Sequence, residues 1–165
     1  MSRVIDVYDN VMKPDEAEFI DAKMKKVHWQ YEHWKSDKNK VGYHWNRFAG
    51  ETAEEIAGGE FDFVLPIWET AKYKYDFEKK YNISEFKRIY MNAHTHGIEP
   101  NIHYDDGDFT LIYYPRMDWE TEWGGGTAIF EEETNDRSSP LYATEYKNIQ
   151  MDKGGRSFRF FHYPF

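Results

Sequence analysis

Apolar positions follow two regimes along the chain, a loosely helical one up to about residue 82 and a strand-like one beyond it. Residues 4–11 alternate and predict a first strand. Pro14 and the acidic Asp15, Glu16 and Glu18 suit a helix start, because proline presets the first helical φ and carboxylates complement the N-terminal dipole. Phe19, Ile20, Met24 and Val27 then fall near helical spacing, which predicts a helix over 14–27. Residues 29–48 are aromatic, basic in patches and without a clear period, so irregular chain is expected there. A short helix is expected over 52–57, stopped by Gly58-Gly59. Phe63, Val64, Ile67, Trp68, Ala71, Tyr75 and Glu78 keep mostly helical spacing and predict a second long helix over 60–81, its regular part starting near Pro66.

After Asn82, apolar runs of strand length alternate with turn residues. Strands are expected over 86–93, 101–105, 109–114, 127–131, 146–151 and 156–161. His96-Gly97, Asp106-Gly107, Gly124-Gly125-Gly126 and Gly154-Gly155 supply the turns. Helices first and short strands later point to the α+β class, with a sandwich or barrel as the β part. No repeat, low-complexity tract or flexible linker divides the 165 residues. A single domain over 1–165 is therefore expected, with 1–82 mainly helical support and 83–165 the β core.

Composition changes this picture in three ways. A mean hydropathy of −0.90 would suggest disorder in a chain poor in aromatics. Here 13 Tyr, 12 Phe and 6 Trp supply the buried area that few aliphatic residues can, so an aromatic-rich core is expected. The net charge of −9 argues against nucleic-acid binding, which depends on clustered Lys and Arg. The absence of cysteine excludes disulfides, thiolate metal sites and cysteine nucleophiles. No apolar run of membrane-spanning length occurs, and residues 1–10 lack a signal-peptide layout, so no membrane association and a cytoplasmic location are expected.

The histidines decide the chemistry. His28, His33 and His44 sit in poorly patterned chain and read as ordinary surface or half-buried residues. His94 and His96 would share a strand face, but no carboxylate follows at metal-site spacing. Glu131-Glu132-Glu133 reads as a solvated loop. His103-Tyr104-Asp105 differs: on a strand, residues two apart project to one face, so an imidazole and a carboxylate converge. Together they form two thirds of a two-His-one-carboxylate triad, which leaves three iron positions open.

The surroundings of this tripeptide repeat a known order. Tyr90, Gly97, His103-Tyr104-Asp105, the run from Thr110 to Tyr114, Trp119, Trp123-Gly124-Gly125-Gly126-Thr127 and Gly155-Arg156 follow one another over roughly seventy residues. In order and gaps this resembles the catalytic core of prolyl-4-hydroxylase-like iron(II)/2-oxoglutarate dioxygenases. Gly126 stands where that family often has Glu. The resemblance implies an N-terminal strand and helices packed on a double-stranded β-helix, the jelly-roll or cupin-like core. It also implies Fe(II) and 2-oxoglutarate, admits ascorbate as an accessory, and gives His103 and Asp105 the metal. Tyr114 matches the position whose phenol reaches the C5 carboxylate of 2-oxoglutarate, and Tyr90 is a candidate second phenol.

Counting from Arg156, the family's distal histidine and its carboxylate-binding Arg or Lys fall beyond Phe165. His162 is the only histidine after Asp105, and therefore the candidate third ligand; Arg159 is the cation near it. The pattern matches a C-terminally shortened form or a rearranged site. Either would leave a sheet edge that a second copy of the chain could cover. The expected function is hydroxylation of a prolyl or other peptidyl residue, with a peptide or protein as the substrate and a small molecule as the other option. The alternatives are a catalytically incomplete module of the same fold, used in binding or assembly, and a cupin-like metal binder indifferent to 2-oxoglutarate.

Overall fold

The first strand forms over Val4–Tyr8 (β1) and the first helix over Pro14–Met24 (α1), both inside the expected spans. Pro14 occupies the first turn of α1, and the Glu16 carboxylate accepts the Lys13 backbone N–H at 3.1 Å, satisfying one of the donors a helix start leaves over. The buried face of α1 is Ala17, Ile20 and Asp21, not the expected stripe through Phe19. Phe19 points outward, with the Lys23 ammonium 5.4 Å from its ring centre. This computed structural model describes residues 4–33, 43–93, 109–120, 123, 127–132, 143–149 and 158–162.

The stretch expected to be irregular contains two antiparallel strands, Gln30–His33 (β2) and Tyr43–Gly50 (β3). Tyr31 lies directly opposite Trp45, and their rings meet at 4.9 Å. Cross-strand aromatic pairing thus supplies the order that period alone did not reveal. Gly50 ends β3 where the backbone meets the next helix: a Cβ there would come within 2.8 Å of Ile56 Cγ1. That helix, Ala53–Ile56 (α2), starts as expected at Thr52, whose side chain accepts the Glu55 N–H at 3.2 Å.

The expected long helix over 60–81 is instead four short pieces. A 3-10 turn at Asp62–Val64 leads into Leu65–Glu69 (α3), with Pro66 in its first turn as expected. A π turn at Thr70–Lys74 follows, with Tyr75 N–H reaching back to Thr70 O at 3.3 Å. Asp76, at φ 53°, then breaks the run before Phe77–Tyr81 (α4), and Asn82, at φ 58°, ends it. Asp and Asn are the residues, apart from glycine, that best tolerate this left-handed conformation. The interruption serves packing. Ala71 and Phe77 are both fully buried, and a continuous helix would not turn both residues inward at this bend.

Beyond these lie Ile89–Ala93 (β4), Phe109–Tyr113 (β5), Thr127–Glu132 (β6), Ala143–Ile149 (β7) and Phe158–His162 (β8). The expected strand 101–105 lies outside the described residues. The described strands form three antiparallel groups: β1-β8-β5, β2-β3-β4 and the pair β6-β7. Pairing is therefore nested, since β6 and β7 pair with each other while the flanking β5 and β8 pair in a different sheet. The core lies where the helical segments meet the sheets, around Phe77, Ile20, Ile56 and Val11. Aromatic contacts ring it as composition predicted, with Phe77 against Tyr81 at 5.3 Å and Trp68 against Phe86 at 5.5 Å. Among the described residues, no helix is long and apolar enough to cross a membrane.

Candidate functional site

Strand register divides the β1-β8-β5 sheet into two rows of residues, because successive positions alternate between faces. Val4, Asp6 and Tyr8 pair with His162, Phe160 and Phe158, which in turn pair with Phe109, Leu111 and Tyr113. Of these, Leu111, Tyr113 and Tyr8 pack against the core, and Tyr81 of α4 meets the Phe109 ring at 5.9 Å. The other row holds Val7, Arg159, Thr110 and Ile112, with Val7 exposed. By alternation Tyr114 continues the second row, beyond the end of β5.

The sequence-predicted residues fall on this framework unevenly. His103 and Asp105 lie outside the described residues, as do His94 and His96. His162 is the register partner of Phe109, and Phe109 follows Asp105 by four residues. The sheet thus brings His162 to the end of β5 that the His103-Tyr104-Asp105 segment leads into. Arg159, three residues earlier on β8, is the register partner of Ile112. Tyr114 is partly buried. Tyr90 belongs to the other three-stranded sheet, opposite Phe48; it is exposed, with the Arg88 guanidinium 5.7 Å from its ring centre. Register therefore places Tyr90 and Tyr114 in different sheets. Among the described residues, no three His, Asp or Glu side chains gather as a metal site.

Two polar constellations escaped the sequence. Asp6 and Tyr8 on β1 meet Lys80 and Tyr81 on α4: the Tyr81 hydroxyl donates to Asp6, the Tyr8 and Tyr81 hydroxyls lie 2.7 Å apart, and Lys80 donates to Asp6 at 3.1 Å and also to Tyr8. The Tyr81 hydrogen bond holds the Asp6 carboxyl below its ordinary value, helped by the Lys80 ammonium. The Tyr8 and Tyr81 hydroxyls push Lys80 up, and burial beside Asp6 pushes the Tyr81 phenol up. These shifts belong to a clamp between strand and helix, because every member is satisfied by another. The only sequence signal was the i, i+2 spacing of Asp6 and Tyr8, which needs the α4 partner to acquire meaning.

The second constellation joins α1 to the segment after β5. Asp21, buried on α1, accepts from Lys25 at 2.7 Å, and Arg116 donates to Asp118 at 2.9 Å. The Arg116 guanidinium holds the Asp118 carboxyl below its ordinary value. Both members of the second pair lie within four residues of Tyr114. No protein-family model, curated protein or solved structure matches the chain.

Proposed function

We propose that the chain is a non-haem iron(II) oxygenase of the 2-oxoglutarate-dependent class. More narrowly, we read it as a hydroxylase of prolyl or other peptidyl residues, after the family that its motif order resembles. The observation that carries this reading is the nested pairing of β6–β7 within β5–β8. A folded-over pair of strand pairs is the building pattern of a jelly roll, and here it spans the later part of the motif order, from Thr110 to Arg156, with His103-Tyr104-Asp105 just before β5 in sequence. β4 and β5 are end strands of their described sheets, so a closing strand of such a core has an edge to join.

The donor chemistry suits iron(II). His103 and Asp105 would hold the metal, with His162 as the third ligand that the chain offers, leaving positions for a chelating cosubstrate and dioxygen. Its place opposite Phe109 supports His162 by proximity along the strand. Bound iron would supply dioxygen activation coupled to decarboxylation of 2-oxoglutarate, so that substrate C–H, dioxygen and 2-oxoglutarate give alcohol, succinate and carbon dioxide. Tyr114 would hydrogen-bond the far carboxylate of 2-oxoglutarate, and Arg159, whose register partner Ile112 lies two residues before Tyr114, would be the cation for it. Tyr90, exposed in the other sheet, is the weaker candidate for that task.

One observation favours a second reading, a binding or assembly module of the same fold. Register leaves Tyr90 in the β2-β3-β4 sheet and Tyr114 at the end of β5, so the two candidate phenols do not share a sheet. Iron-dependent conversion of 2-oxoglutarate to succinate by the purified protein separates the two. The oxygenase reading expects turnover that Asp105→Ala abolishes. Absence of turnover, with no metal retained by either protein, would leave the module reading standing.

A further inference from the structure

A closed ring of four alternating charges ties α1 to the segment after β5. Lys25 Nζ lies 2.7 Å from Asp21 and 4.0 Å from Asp118, while Arg116 lies 2.8 Å from Asp118 and 3.8 Å from Asp21. Each cation thus stands between both carboxylates. Met117, between Arg116 and Asp118 in sequence, packs against the core. Beyond it the Arg116 guanidinium lies 6.0 Å from the ring centre of Trp123, which meets Trp119 edge-on at 5.4 Å.

Asp21 is the odd member. It is 7% exposed, the one buried polar or charged residue among those described. An ionised carboxylate at such a position costs stability unless it is paired, and an apolar residue would serve the helix face better. Lys25 satisfies only one of its oxygens: Oδ1 is buried and accepts no hydrogen bond. That oxygen faces Arg116 Nε at 3.8 Å. The unsatisfied oxygen therefore pulls on the one arginine that also holds the chain two residues past Tyr114. Two residues span about 7 Å at most, so Tyr114 cannot shift far without Arg116 moving too.

We propose that Asp21 is a positioning residue: through Arg116 it fixes the strand end at Tyr114 and so sets the affinity for the dicarboxylate cosubstrate. This inference rests on the dioxygenase reading. A hydrogen bond to a carboxylate is worth roughly a factor of ten in affinity, which is the effect expected when Tyr114 is released.

The test is calorimetric titration of 2-oxoglutarate into the iron(II)-loaded protein under anaerobic conditions. Asp21→Asn and Arg116→Gln should each weaken 2-oxoglutarate binding by about ten-fold, while iron affinity stays unchanged. Tyr114→Phe should do the same. In the Tyr114→Phe background, Asp21→Asn should add less than a two-fold further loss, because both act on one contact. A merely structural Asp21 would add its full effect in that background, and this would overturn the proposal. So would an Asp21→Asn protein that binds 2-oxoglutarate like the unsubstituted chain. Should Asp21→Asn fail to fold, Arg116→Gln, at a half-exposed position, carries the same cycle. Failure of the unsubstituted, iron-loaded protein to bind 2-oxoglutarate would instead overturn the functional reading beneath the proposal.

Discussion

Replacing Tyr81 by Phe removes one oxygen from the clamp between β1 and α4 and nothing else. The ring contacts of Tyr81 with Phe77 at 5.3 Å and Phe109 at 5.9 Å are kept, so no cavity forms. What is lost is a hydrogen bond to the Asp6 carboxylate and the 2.7 Å contact with the Tyr8 hydroxyl. Net hydrogen bonds to charged groups contribute about 1.5–3 kcal/mol, and the part-exposed position and the surviving Lys80 bond put this one at the low end, ~1.5 kcal/mol. For a domain of this size, that corresponds to a fall in melting temperature of roughly 3–6 °C. Urea denaturation across pH is the assay. The raised Lys80 and Tyr81 contribute stability that is complete below their ordinary values of 10.5 and 10.0 and is lost as pH rises above them. The lowered Asp6 contributes stability present above its ordinary 3.8 and lost as pH falls below it. The gap between the two proteins should therefore be widest near neutrality and close towards both extremes. A gap absent at pH 7, or one constant from pH 4 to 11, would refute the account of this clamp.

Other perturbations probe separate parts of the fold. Phe77→Ala empties the most buried aromatic site among the described residues, at the bend between the π turn and α4, and should cost about 3–5 kcal/mol in the same denaturation assay. Gly50→Ala drives a Cβ to 2.8 Å from Cγ1 of the buried Ile56 side chain, and overpacking of this kind should lower stability by about 1–3 kcal/mol in the same assay. Asp105→Ala should leave the melting temperature of the metal-free protein within a few degrees while removing iron retention, read by metal analysis after desalting.

Elements with their own local signals were legible in the sequence. Pro14 and the acids behind it marked α1, Thr52 marked α2, and the turn residues after Asn82 separated strands close to those formed. The β2–β3 hairpin was not legible, because its order comes from Tyr31 facing Trp45 across strands rather than from alternation within either. The long helix over 60–81 failed for a related reason: apolar spacing stayed helical while Asp76 took a left-handed conformation that no pattern of apolar residues reports. Phe19 misled through its hydrophobicity, and Asp21 was passed over because a charged residue on a helix ordinarily faces water. For the site, order along the chain pointed to Tyr114, and Arg159 entered only as the cation near His162; strand register alone shows that Arg159 lies opposite Ile112 and His162 opposite Phe109. Register depends on pairing between segments far apart in sequence, which a single chain read linearly does not carry.

The central claim is oxygenase chemistry at His103 and Asp105, and isotope labelling tests it most directly. The iron-loaded protein is turned over with 2-oxoglutarate under 18O-labelled dioxygen, and the succinate is analysed by mass spectrometry. The account predicts one labelled oxygen in the succinate carboxylate and none formed by Asp105→Ala. Succinate without label, or equal labelling with the Asp105→Ala protein, would contradict it.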